Sequence, residues 1–351
     1  MFKKSSKLLC ILAVSFVFVA CGQQTQTPQI TESDAPLENQ QQTTYELPTA
    51  NFNRSDYFIT VLTGPTGGIF FPIGGGFFQV AESAGYLSSV TATGATVANI
   101  NALLTGSGEL AIAMTDATTQ AVESTHAFYG VEPASSLRSI MGLWPNAVQI
   151  VTTANSGIQT FEDLRGRRIG VGAPGSGVEV NARMMFYAHD MTYDDANVDF
   201  LSYSEAIDQM RNGLIDAAFV TSGLGNATIL ELGIDFDLYF IPIDGATRQR
   251  LIDTYPVFIE YVIPYYVYNT ANNTETVAVM NALITTEDLP YYVVYDLLTL
   301  FFSNAGLSTI QGTHATAAEH IHLHSALRGI QDISVPMHEG AIMFFQSNGL
   351  M

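Results

Sequence analysis

From residue 57 onward, short β-rich runs alternate with helical patterns, and this alternation limits the chain to an α/β architecture built on parallel strands. The first series places strands at 57–62 (YFITVL), 88–93 and 110–114, with helices at 97–104 and 116–128. Residues 137–153 read as two extended runs broken at Trp144-Pro145. A second series follows, with strands at 168–171, 198–203, 217–220 and 238–241 and helices at 178–189, 204–212, 227–232 and 246–254. The apolar stretch 258–268, with Pro264 inside it, reads as a return crossing. A strand at 276–284 and helices at 290–303, 317–328 and 338–347 then complete the first body. One domain is therefore expected to be inserted into another. Residues 56–144 and 266–351 form domain I, residues 145–265 form domain II, and a cleft lies between them.

The 351 residues suffice for two such bodies, and their charges narrow what those bodies can do. With 13 Lys+Arg against 33 Asp+Glu, the net charge of −20 argues against nucleic acid, which needs clustered cations. All three lysines (Lys3, Lys4 and Lys7) precede residue 8. The rest of the chain has no amine for a Schiff base, a Walker-type phosphate site or a Ser-Lys dyad.

Those lysines open a targeting segment. Residues 8–20, LLCILAVSFVFVA, are too short to span a bilayer comfortably but suit the core of a signal peptide. The run ends at Val19-Ala20-Cys21-Gly22, which resembles a bacterial lipobox. Residues 1–20 are thus expected to be a lipoprotein signal peptide, with Cys21 lipidated as the mature N-terminus. Cleavage takes three positive charges and no acids, moving the net charge from −20 to −23, and leaves one cysteine and no internal disulfide. Residues 21–55, rich in Gln, Thr, Pro and Asn, read as a flexible tether spanning roughly 30 Å. The expected location is the extracytoplasmic or periplasmic face of the cell envelope, with the body soluble and membrane-anchored by lipid.

Two loops carry the candidate chemistry. Gly64-Pro65-Thr66-Gly67-Gly68-Ile69-Phe70-Phe71-Pro72 and Gly172-Ala173-Pro174-Gly175-Ser176-Gly177 each join a strand to a helix. Each sets side-chain-free backbone at a helix N-terminus, where unpaired N–H groups and the positive dipole end favour an anion. Facing each other across a cleft, the two would clamp a small carboxylate. Two other patterns carry less. Gly170-Val171-Gly172-Ala173-Pro174-Gly175 spells a dinucleotide GxGxxG, but the proline is awkward in that turn and an exported lipoprotein lacks such cofactors. In His320-Ile321-His322-Leu323-His324 only His320 and His324 share a helix face, with Glu319 the one carboxylate nearby, so neither metal nor cofactor is expected. No Ser/His/Asp order or paired-carboxylate spacing stands out, so no catalytic residues are expected.

At these loops the chain resembles the extracytoplasmic solute receptors of tripartite ATP-independent periplasmic (TRAP) transporters, in the branch called TAXI. The matching stretches are Thr66-Gly67-Gly68-Ile69-Phe70-Phe71-Pro72, Phe161 to Ile169 (FEDLRGRRI), Gly172 to Ala182 (GAPGSGVEVNA), Asp216-Ala217-Ala218-Phe219, Tyr255-Pro256, Val262-Ile263-Pro264 and His338-Glu339-Gly340-Ala341-Ile342. The resemblance implies a two-domain periplasmic-binding-protein fold of type II and a small-molecule carboxylate ligand of the glutamate, glutamine or 2-oxoglutarate kind. It also implies delivery to TRAP permease membrane subunits, with no cofactor. Implied ligand contacts are Gly67, Gly68, Phe70 and Phe71 from one domain and Gly175, Ser176, Gly177 and Asn181 from the other. Asn99, Thr115, Asp116, Thr221 and Pro264 follow as candidates at strand ends and the crossing. Phe70-Phe71 lacks the tyrosine usual in that pair, Val178 stands where the family carries Thr, Ala98 where many members carry Glu, and Gly225 where Pro is common. These departures point to a less polar pocket and away from an amino-acid ligand. The alternatives are a subunit reporting ligand to a membrane signalling protein, and an enzyme on the same fold.

Overall fold

The computed structural model describes residues 52–331 and 333–351; the expected leader, Cys21 and the tether up to residue 51 lie outside the described residues. Ten strands in this region form one sheet: β1 (Phe58–Leu62), β2 (Leu87–Thr91), β3 (Leu110–Met114), β4 (Leu137–Thr153), β5 (Arg168–Gly170), β6 (Asn197–Asp199), β7 (Ala217–Ser222), β8 (Leu238–Phe240), β9 (Phe258–Ile263) and β10 (Thr274–Thr286). Their order is β2-β1-β3-β10-β4-β7-β5-β6, with β8 also on β4 and β9 also on β10. The flanks, β2-β1-β3 and β7-β5-β6, are parallel as the alternating pattern requires. At the centre, β4 and β10 run antiparallel to each other and to their neighbours, so the sheet is mixed.

The helices are α1 (Phe70–Ser83), α2 (Thr96–Leu104), α3 (Thr115–Glu123), α4 (Gly177–Ala188), α5 (Tyr203–Arg211), α6 (Ala227–Asp235), α7 (Gly245–Thr254), α8 (Tyr265–Tyr268), α9 (Tyr291–Phe301), α10 (Asn304–Gln311), α11 (Ala315–His320), α12 (Leu323–Arg328) and α13 (Glu339–Ser347). Among the described residues no single helix is long and apolar enough to cross a membrane; α9 and α10, bent at 74°, pass that test only as a pair.

The long strands β4 and β10 are the two passages between the halves of the sheet. This corrects the expectation of a return crossing at 258–268. Pro264 has no N–H to donate, so β9 ends at Ile263 and the short α8 follows. The return is made by β10, whose residues 274–279 pair with β9 and 281–284 with β3. The break read at Trp144-Pro145 is likewise no break. β4 runs on, with a bulge that sets Met280 opposite Pro145 and Ala282 opposite Gly142. Asn281, inside the bulge, donates from Nδ2 to the Trp144 carbonyl at 2.9 Å, and the Trp144 indole donates to Asn146 Oδ1 at 2.8 Å. Side chains thus replace the ladder bonds that the bulge removes.

Three further local differences have identifiable causes. The strand expected at 198–203 stops at Asp199, because Ser202 and Glu205 form a capping box that starts α5. The helix expected at 317–328 breaks at Ile321, with His322 at the N-cap of α12, so His320 and His324 sit on separate helices. Residues 52–55, grouped by composition with the tether, pack onto the body. Phe52 meets the rings of Tyr57, Tyr86 and Tyr292, and Arg54 makes two 2.8 Å bonds to Asp296.

The core is apolar on both faces of the sheet, as buried parallel strands demand. Trp144, Phe77, Phe301, Phe161, Phe186 and Phe219 are among its largest fully buried side chains.

Candidate functional site

The parallel strands of both halves deliver their C-terminal ends to one place, and each hands the chain to a helix. Four helix N-termini meet there: Ile69-Phe70 of α1 and Ala95-Thr96 of α2 from the first half, Ser176-Gly177 of α4 and Ser202-Tyr203 of α5 from the second. Crevices outside strand carboxyl ends are where open α/β sheets bind ligands. Here the crevice is a cavity of about 50 Å³, also lined by Gly64, Gly68, Met114, Asn146, Thr221 and Ser222.

None of the residues lining this cavity is charged. Its polarity comes from helix ends, which present unpaired N–H groups and the positive end of the dipole, and from a few hydroxyls. Ser176 Oγ accepts the Glu179 N–H at 3.2 Å as the N-cap of α4, and its own O–H remains to donate. Tyr203 donates to the Thr221 carbonyl at 2.6 Å, which fixes the ring on the wall. Thr221 Oγ1 is buried against the cavity with no partner. A buried hydroxyl left unbonded loses free energy, so it marks where a ligand atom would complete the site. The remaining wall is apolar, formed by Phe70 at 8% exposure, edge-on to Trp144 at 5.7 Å, and by Met114 and Val178.

The two halves touch around this cavity. Ala98 N–H donates to the Gly175 carbonyl at 3.2 Å. Gly177 lies so close to the opposite half that an added Cβ would come 2.0 Å from Met114 Cε and 3.0 Å from Thr96 Oγ1. Gly175 has φ +74°, a conformation costly for any other residue except Asn or Asp.

Of the residues expected to bind ligand, Gly68, Phe70, Ser176, Gly177 and Thr221 line the cavity. Gly67 packs beside it, where a Cβ would stand 3.2 Å from Ser204 Oγ. Gly175 and Asp116 line a wider hollow of about 1260 Å³ on the far side of Ser176, bordered also by Gln120, Glu179, Arg183 and Tyr255. Asn181 is buried with its Nδ2 on Asp116 Oδ2 at 2.5 Å. Asn99 is buried too, and its amide is occupied by Thr63 O, Ile112 O and Thr93 Oγ1. Thr115 opens α3 and is buried, Phe71 is half-buried, and Pro264 caps α8; these three line neither space. Arg183 pairs with Glu179 at 2.5 Å and lies over the Tyr193 ring at 4.6 Å, outside the small cavity.

Sequence reasoning missed Thr96, Met114, Asn146, Ser202, Tyr203 and Ser222. Only Ser202 had a local signal, the Ser-x-x-Glu capping box; the others reach the wall through the meeting of distant strands. Among the described residues no group of three or more His, Cys, Asp or Glu side chains is placed to hold a metal.

Solved structures resemble this chain at low identity. A protein of Bordetella bronchiseptica RB50 matches with a TM-score of 0.50 at 14% identity, over 83% of this chain and 98% of its own. The alkanesulfonate-binding protein SsuA from Xanthomonas axonopodis pv. citri, bound to MOPS, gives 0.45 at 12%, over 84% and 93%. A binding protein component of an ABC phosphonate transporter from Pseudomonas aeruginosa gives 0.45 at 13%, over 73% and 78%. The NMT1-like family profile matches residues 61–349, which is most of the sequence, and the chain therefore belongs to the NMT1-like family.

Proposed function

We propose that the protein is a solute-binding lipoprotein of a TRAP transporter, of the TAXI branch, which captures a small organic anion between two domains and presents it to membrane permease subunits. The observation that carries this reading is the convergence of four helix N-termini, two from each half, on one cavity lined by no charged side chain. Such a site holds a compact anionic group through backbone N–H donors and the dipole, without a cation. The unpartnered Thr221 hydroxyl and the free O–H of Ser176 supply further donors. Phe70, Met114 and Val178 set an apolar wall against the rest of the solute, which favours a carboxylate with little other polarity. The lining residues include no His, Cys, Lys or carboxylate to move a proton or attack a bond, which supports binding over catalysis. A hinge through β4 and β10, with the residues between those two strands as the moving domain, would open the site.

The test uses Trp144, the only tryptophan, whose buried ring touches Phe70. Refolded protein, free of carried ligand, is titrated with small monocarboxylates, dicarboxylates and their neutral amides while tryptophan emission is followed. Saturable change with a carboxylate and none with its amide is expected. Saturation by the amides alone would refute an anion site.

A further inference from the structure

Asp116 on α3 and Asn181 on α4 come from opposite halves of the sheet and are 1% and 0% exposed. One contact joins them, Asn181 Nδ2 donating to Asp116 Oδ2 at 2.5 Å. The second oxygen of each, Asp116 Oδ1 and Asn181 Oδ1, is buried with no partner. Turning the amide over does not cure this, because an amide has one donating edge and one accepting edge, whereas an ionised carboxylate only accepts. The pair is one donor hydrogen short in either orientation.

The neighbourhood offers no cation to hold an ionised Asp116. α2 and β3, which pack on α3, carry no titratable side chain, and Glu275 of β10 is engaged by Arg248 at 3.1 Å. Around the adjoining hollow stand Glu123, His126, Glu179, Arg183, Tyr193 and Tyr255; Arg183 is taken by Glu179, and Ser334 donates to Glu123. Burial accordingly pushes the Asp116 carboxyl up to about 6, against the smaller opposing effects of its hydrogen bonds.

We propose that Asp116 is a proton-binding site between the two halves, with the proton on its Oδ1 donated to Asn181 Oδ1. Acid and amide then form a reciprocal two-bond pair that latches the closed cleft. When the halves part, the carboxyl meets water and returns to the ordinary carboxylate range. The closed form has the raised value, so the latch is complete below that ordinary range and is lost as pH rises through about 6. Closure therefore takes up a proton, and mild acid favours the closed form whatever the solute is.

The experiment uses the mature chain without added solute. The wild type labelled with ¹³C-carboxyl aspartate should show one aspartate carboxyl titrating near pH 6, and its infrared spectrum at pH 5 should contain a protonated-acid C=O stretch that fades by pH 8. In Asp116→Asn, a neutral side chain that keeps a donating edge, both signals should be absent. The variant's folded-to-unfolded ratio relative to wild type should rise by up to tenfold per pH unit between the ordinary carboxylate range and about 6, and level off above it. A wild-type spectrum in which every aspartate titrates in the ordinary range overturns the proposal, and this reading needs no variant to fold. Parallel pH–stability curves for wild type and Asp116→Asn overturn it too.

Discussion

Replacing Asn99 by alanine should weaken the first half of the sheet before it affects any ligand. The Asn99 amide donates to Thr63 O at 2.6 Å and Ile112 O at 2.8 Å, and its Oδ1 accepts from Thr93 Oγ1 at 2.5 Å. Three segments are tied at one point: the end of β1, the interior of β3 and the turn after β2. Asn99→Ala removes two N–H···O bonds worth about 1 kcal/mol each, in a fully buried setting. Thr63 O keeps the Thr93 hydroxyl at 2.8 Å, so the further cost falls on the Ile112 carbonyl and the small void, about 1–2 kcal/mol more. The sum is about 3–4 kcal/mol, a large share of the roughly 5–15 kcal/mol typical of a folded domain. Urea unfolding followed by Trp144 emission should show a lower midpoint at unchanged slope. Asn99→Asp, which has no donor and sets a carboxylate against two carbonyls, should be at least as damaging. A variant that unfolds within about 0.5 kcal/mol of wild type but no longer binds solute would refute this reasoning and make Asn99 a ligand contact.

Four other predictions concern anchoring, grip and closure. Wild-type protein expressed in its native host should take up labelled palmitate and partition into detergent, and Cys21→Ala should do neither; equal labelling of both would remove the lipid anchor. Gly177→Val, forced against Met114 and Thr96, should strain the closed cleft by about 1–3 kcal/mol, a 5- to 150-fold loss of solute affinity by calorimetry. Ser176→Ala should cost about 1–2 kcal/mol, whereas Arg183→Gln should change affinity less than about twofold, since that arginine is held by Glu179 and the Tyr193 ring; the reverse ranking would establish an arginine clamp. Small-angle scattering should show a modest fall in radius of gyration on saturation with the solute, and an unchanged radius would mean a preformed site.

The flanking parallel strands were legible because period and length mark them locally, and α4 was legible from Gly175-Ser176-Gly177, where a left-handed turn precedes an N-cap. β10 was read as a strand at 276–284 but its role as the return crossing was not, because a strand that serves both halves of a sheet differs from an ordinary one only in its partners. Trp144-Pro145 misled for a related reason: proline removes a ladder donor locally, yet the strand runs on through a bulge in which the Asn281 amide of the next strand holds the Trp144 carbonyl. In the site, Gly68, Phe70, Ser176 and Gly177 could be read from chemistry that resides in their own loops. Asn146 and Met114 reach the cavity only because β4 passes beside it and β3 ends there. Asn99 and Asn181 look like ligand donors in a sequence, but their partners (a pair of carbonyls and a buried carboxyl) are contributed by strands and helices far along the chain.

The central claim, a small organic anion held at the four helix ends, is tested most directly by native mass spectrometry of the mature chain purified without denaturant, followed by identification of what unfolding releases. The account predicts a one-to-one complex that releases a single small carboxylate, rebinds it after refolding, and is weakened in Gly177→Val. A folded chain that carries no small molecule and takes none up from an extract of its own growth medium would contradict it, as would release of a cation or a neutral solute.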